Sequence, residues 1–218
     1  MQNRDTRFFD YSFLTVGLAI QVVTYWLMPH DTVISLISGL LGVCSVCLGA
    51  QGNILTFVFG FAQVGTYTYL CVTQRFYGEI AINAYYLLTM IYGVAVWRKR
   101  ATKTIVQTRH LKGWIFVLIA LATLGASWLT GWGLARWTDD TQPYLDAFTT
   151  IPALVAQVLM ILVYREHWYI WLAVDILSVV MWIRAGNYSM AAQYAFWCCN
   201  CVYGYIRWTR LEAGKATS

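Results

Sequence analysis

Asp175 is a carboxylate in the middle of an apolar run, and it shares one helical face with several indoles. The run and its sequel, Glu166 to Trp208, read EHWYIWLAVDILSVVMWIRAGNYSMAAQYAFWCCNCVYGYIRW. Trp168, Trp171, Asp175, Ser178 and Trp182 follow one another at steps of three and four, so on a helix they form a single stripe. Past the break at Arg184-Ala185-Gly186-Asn187, a second stripe carries Gln193, Trp197, Asn200 and Gly204. An ionised carboxylate in an apolar medium is costly unless it meets a partner. Asp175 is therefore neutral, paired, or a receptor for a cation. Indole faces sandwich flat rings and attract cationic ones most strongly. Together these groups suit the binding of a flat, polar, positively charged molecule.

Other polar residues fall inside apolar runs. Asn53, Gly60, Gln63 and Tyr67 share one face, Glu79, Asn83, Tyr86 and Gly93 another, and Gln157 follows Pro152. Some of these bond between helices as structural glue, worth about 0.6 kcal/mol each in membranes. Gln63 and Asn53 fit that role well, and Glu79 lies close enough to the end of its run to be solvated. Trp97, Trp114, Trp137 and Trp208 suit an interfacial belt, and Trp168 begins its run and fits one too. Trp171 and Trp197 lie deeper.

The elements that must hold these groups are membrane helices. Of 218 residues, 59% are hydrophobic and 11% charged, against about 25% charged in soluble domains. Eight spans are expected, near 12–28, 33–50, 53–72, 78–97, 113–131, 148–164, 168–184 and 188–207. Each must be helical, because lipid offers the backbone no partners. No cleaved signal peptide is expected in MQNRDTRFFDYS. The net charge of +5 sits in loops, where it orients helices, and implies no nucleic-acid partner.

The basic loop WRKRATKTIVQTRHLKG and the acidic ARWTDDTQPYLDA set the orientation, with both termini in the cytoplasm. Twelve of the fifteen Lys and Arg residues then lie inside, leaving Arg75, Arg136 and Arg184 outside. A shift of 111 residues pairs Phe57 with Trp168, Tyr86 with Trp197, Tyr92-Gly93 with Tyr203-Gly204 and Trp97 with Trp208. The expected organisation is an extra N-terminal helix (1–32), a three-helix repeat (33–100), a basic loop and linker helix (101–147), a second repeat (148–210) and a tail (211–218). Parallel repeats about an axis along the membrane normal are a transporter plan.

No metal or cofactor is expected. Cys44 and Cys47 have metal-like spacing but no second pair nearby, and all six cysteines read as small buried hydrophobes. There is no phosphate-cradling glycine loop and no nucleophile–base pair, which disfavours an enzyme.

GNILTFVFGFAQV, YGE, IYG, REHWYIWLAVDILSVV and GNY resemble the Pnu-type vitamin transporters, which include nicotinamide riboside and thiamine carriers. The resemblance spans about residues 33–210, and its most specific mark is Trp168-x-x-Trp171. It implies an all-α, SWEET-like 3+1+3 bundle, here with eight transmembrane helices, as a homotrimer in the bacterial inner membrane. It implies facilitated diffusion of an unphosphorylated vitamin, trapped by a cytoplasmic kinase that does not bind stably. It gives Trp168 and Trp171 the aromatic role, and Asp175, Asn200 and Tyr203 the hydrogen-bonding role. Trp197, Gln157, Gln63, Asn83 and Glu79 complete the expected set.

Asp175 stands where the riboside carriers are expected to hold an amide, and Glu79 where they hold a small polar residue. A carboxylate only accepts hydrogen bonds, which suits the amino group and fixed charge of thiamine. Thiamine is therefore the favoured substrate, with nicotinamide riboside and a proton-coupled mode through Asp175 or Glu79 as alternatives.

Overall fold

Apolar runs in so weakly charged a chain leave backbone amides little choice but to bond within their own helix. The computed structural model describes residues 4–27, 32–74, 77–139, 141–184 and 188–213. Among them lie eight helices: α1 (Arg4–Leu27), α2 (Val33–Ala50), α3 (Thr56–Gln74), α4 (Tyr77–Arg100), α5 (Gly113–Trp137), α6 (Pro143–Ile161), α7 (His167–Arg184) and α8 (Tyr188–Ala213). The shortest, α2 and α7, have 18 residues, about 27 Å of helix at 1.5 Å per residue. Five are long and apolar enough to cross a membrane: α1, α2, α4, α5 and α6. The three that fall short, α3, α7 and α8, carry Gln63, the indole stripe with Asp175, and Asn200.

Helix ends account for most departures from the expected spans. Thr32 caps α2, its hydroxyl accepting from the Ser35 amide at 3.2 Å. Pro143 starts α6 at its first turn, five residues before the expected start at 148; proline's fixed φ is preset for that position. The stretch expected as plain basic loop contains a hairpin, β1 (Ala101–Thr102) and β2 (Ile105–Val106).

The chain divides into two compact units, Met1–Gln107 and Thr108–Ser218. In the first, α1 packs on α2, α2 on α3 and α3 on α4. Gly39 on α2 faces the end of the Gln21 side chain of α1, which would have to shift for a Cβ there. The α2–α3 turn has Gly52 at φ 69°. The hairpin grips this turn: the Ile54 amide donates to Thr104 O and the Val106 amide to Gly52 O, both at 2.8 Å. Below it, Phe57 meets the buried Trp97 edge-on at 5.1 Å.

In the second unit, α5 packs on α6, α6 on α7 and α7 on α8. The α6–α7 turn has Val163 at φ 61°. Arg109 grips this turn, its amide donating to Val163 O and its carbonyl accepting from the Arg165 amide, each at 3.0 Å. Its guanidinium donates to Leu162 O at 2.9 Å and lies over the Tyr164 ring at 4.0 Å. Adding 111 to the bounds of α2, α3 and α4 gives 144–161, 167–185 and 188–211, within two residues of α6, α7 and α8.

Candidate functional site

Antiparallel packing of α7 on α8 is set by one close approach. A Cβ on Gly204 would lie 2.5 Å from the Trp168 ring, so only glycine lets the indole sit flush on α8. Trp168 also packs tilted against His167, at 4.4 Å, and edge-on against Trp208, at 5.9 Å and 89°. His167 is fully buried and its Nδ1 meets Tyr164 O at 2.7 Å. Charges fix the start of α7. Glu166 accepts from the Leu111 amide at 3.0 Å, and Arg165 reaches Glu212 at 3.0 Å while Glu212 also meets His110.

From this anchor, Asp175 falls about two turns along α7 and Cys201 about one turn back along α8. They meet: the Cys201 thiol donates to Asp175 Oδ2 at 3.2 Å. Asp175 is 4% exposed, and no ion pair reaches it among the described residues. Beside Cys201, Asn200 is fully buried, and neither its Oδ1 nor its Nδ2 has a hydrogen-bond partner. The buried indole nitrogens of Trp168, Trp182 and Trp197 are likewise without acceptors, as is His167 Nε2. Trp197 packs edge-on against Tyr194 at 4.9 Å. An unsatisfied buried polar group costs about 1–3 kcal/mol. Each is a buried donor or acceptor without a protein partner among the described residues.

The structure places the other expected residues as follows. Tyr203 is half-buried on α8, and Gln157 is buried on α6; both are engaged by neighbours. Trp171 packs on the apolar cluster of Ala156, Leu159 and Ile170, together with Phe116 and Tyr164. In the first unit Asn83 is buried and engaged, and Gln63 lies over Gly42. Glu79 is in the first turn of α4, and its side chain lies outside the described residues. Cys201 was not among the expected site residues, since a cysteine in an apolar helix packs as a hydrophobe by default. Its position immediately after Asn200, at the edge of the polar stripe, is the signal that would have found it.

A family profile described as nicotinamide mononucleotide transporter matches residues 32–210. The nicotinamide riboside transporter PnuC of Neisseria mucosa is 33% identical, over 93% of this chain and 81% of that protein. The PnuC of Haemophilus influenzae is 31% identical, over 93% of this chain and 90% of that one. The crystal structure of the vitamin B3 transporter PnuC matches with a TM-score of 0.78 at 30% identity, covering 94% of this chain and 92% of the other.

Proposed function

Since the chain belongs to the nicotinamide mononucleotide transporter family and is an integral membrane transporter, we propose that its substrate is nicotinamide riboside. The observation that carries this is Asn200, a buried side-chain amide with both its donor and its acceptor unmatched. A substrate carboxamide offers the complementary acceptor and donor in one planar group. The buried Asp175 carboxylate repels a phosphate, which favours the riboside over its mononucleotide. The thiamine preference rested on Asp175 and Glu79, and the relatives, named for nicotinamide riboside or vitamin B3, lend it no support.

Transport is passive on this reading. The riboside equilibrates across the bacterial inner membrane, and a cytoplasmic kinase traps it by adding phosphate. The family resemblance supports a SWEET-like 3+1+3 arrangement and a homotrimer, and the placement of Lys and Arg in the sequence supports cytoplasmic termini. Purified protein in liposomes tests the function directly. Labelled nicotinamide riboside is expected to enter until inside and outside concentrations match, with no effect of an uncoupler or of ATP. Entry of thiamine with exclusion of the riboside refutes the substrate, and accumulation driven by a proton gradient refutes the mode.

A further inference from the structure

Asp175 has a chemical role that a carboxamide site alone does not need. It is a buried acid, 4% exposed, midway along a membrane helix. Among the described residues its one hydrogen-bond donor is the Cys201 thiol at 3.2 Å. A thiol is among the weakest donors a protein has. It orients the carboxylate without cancelling its charge, as Arg or Lys would. No cationic side chain is paired with Asp175 among the described residues; the ion pairs of this unit all lie at the other end of α7, among His110, Arg165, Glu166 and Glu212.

Packing does not call for an acid here. The positions 111 residues earlier are Val64 and Met90, both buried and both apolar. At these two positions the same helix pair in the first unit is thus built without a carboxylate or a thiol. Around Asp175 the neighbouring residues on the two helices are chosen for a flat cation. Asn200 precedes Cys201 with both amide atoms unmatched, and Trp197 lies one turn away on α8 with its indole nitrogen unmatched. Aromatic faces near a carboxylate add cation–π attraction to charge attraction.

We infer that Asp175, oriented by Cys201, is the charge-selecting residue of the carrier: it takes the fixed positive charge of an N-substituted pyridinium. The carrier then discriminates the oxidised, cationic riboside from its reduced dihydropyridine form, which keeps the carboxamide and the sugar but is uncharged. The nicotinic acid riboside keeps the ring cation but adds a carboxylate, so its net charge is zero and its attraction to Asp175 is weaker. This inference rests on the riboside reading above, and the test separates the two.

The experiment measures binding of three ligands to the purified full-length protein: the oxidised riboside, the reduced riboside and nicotinic acid riboside. Wild type is expected to hold the oxidised form at least about tenfold tighter than the reduced form, and to hold the acid more weakly than the oxidised form. In Asp175→Asn the oxidised form should weaken by about thirtyfold or more, the scale for removing one partner of a buried charge pair, and the reduced form by less than about threefold. Cys201→Ala keeps the carboxylate and should keep the preference. Equal binding of the oxidised and reduced forms by wild type overturns the inference and leaves the riboside reading intact. So does an equal loss of both in Asp175→Asn. Binding of neither riboside by wild type overturns the reading itself. Should Asp175→Asn fail to fold, Asp175→Glu, which keeps the charge, and Asp175→Ser, which removes it, take its place, and an equal preference in both overturns the inference.

Discussion

The stretches α2–α4 and α6–α8 share a backbone plan and divide the chemistry unequally. Each has a turn with one residue at positive φ, Gly52 or Val163. Each has that turn held by the segment between α4 and α5, through residues 104–106 or Arg109. Each has an edge-on aromatic pair at the same places, Phe57–Trp97 or Trp168–Trp208. Yet every buried side-chain polar atom without a hydrogen bond, among the described residues, belongs to the second unit. Trp171, Asp175, Trp197 and Asn200 stand where the first stretch has Gly60, Val64, Tyr86 and Thr89. The scaffold is therefore a device the chain uses twice, and the unmatched buried polar atoms are an addition to one copy.

The sharpest way to break this comparison is at its most unequal position. Asn200→Ala removes the amide proposed to read the carboxamide, and should weaken riboside binding by about 2–3 kcal/mol, the scale of two unmade buried hydrogen bonds. Thr89, its counterpart, bonds back to the carbonyls of Tyr85 and Tyr86 at 2.9 Å. Thr89→Ala should leave binding within about twofold, since a hydroxyl bonding back within its own helix has no stake in the ligand. Isothermal titration on both variants, with melting temperatures as folding controls, decides. Equal losses would mean that the pocket is shared and the inequality is not functional.

A second contrast concerns rigidity. A Cβ at Gly204 meets the Trp168 ring at 2.5 Å, whereas a Cβ at Gly60 meets the flexible end of Met90 at 2.5 Å. The indole is wedged between His167 and Trp208 and has nowhere to go. Gly204→Ala should destabilise by about 2 kcal/mol, within the range for overpacking a close-packed site. Gly60→Ala should cost less than about 1 kcal/mol, because a methionine tip re-rotates. Thermal unfolding in detergent compares them, and a larger loss at Gly60 would show the first unit to be the tighter one.

Much of this was legible in the sequence, for physical reasons. Helix positions follow from apolar runs, and α2 lies at its expected bounds, 33–50. The 111-residue correspondence was visible because aromatic anchors such as Trp97 and Trp208 have few substitutes. The stripe through Asp175 was visible because a carboxylate in such a run is rare. What stayed hidden depends on contacts distant in sequence. Nothing local marks Arg109 as the residue that grips the α6–α7 turn, 54 positions before Val163. The hairpin was missed because its strands are two residues each, too short for alternation to register. Trp171 could not be told from Trp197 by spacing, yet it packs on the Ala156 cluster while Trp197 keeps a buried nitrogen unmatched.

The weakest effect is the most diagnostic of the turn. Val163 is a β-branched residue at φ 61° and fully buried. Left-handed backbone disfavours a β-carbon by about 1–2 kcal/mol. Burial of the valine side chain returns about 1.5–3 kcal/mol, and that burial is why the second unit tolerates what the first avoids with Gly52. Val163→Ala loses most of the burial and keeps the strain, so it should destabilise by about 1–2 kcal/mol. Val163→Gly loses the burial but also relieves the strain, so it should lie within about 1 kcal/mol of wild type. The expected order, glycine above alanine, reverses the usual one, in which glycine is the worse of the two. Melting temperatures of the two variants test it directly. Alanine above glycine would mean that the turn carries no strain, and that the likeness of Gly52 and Val163 is one of outline alone.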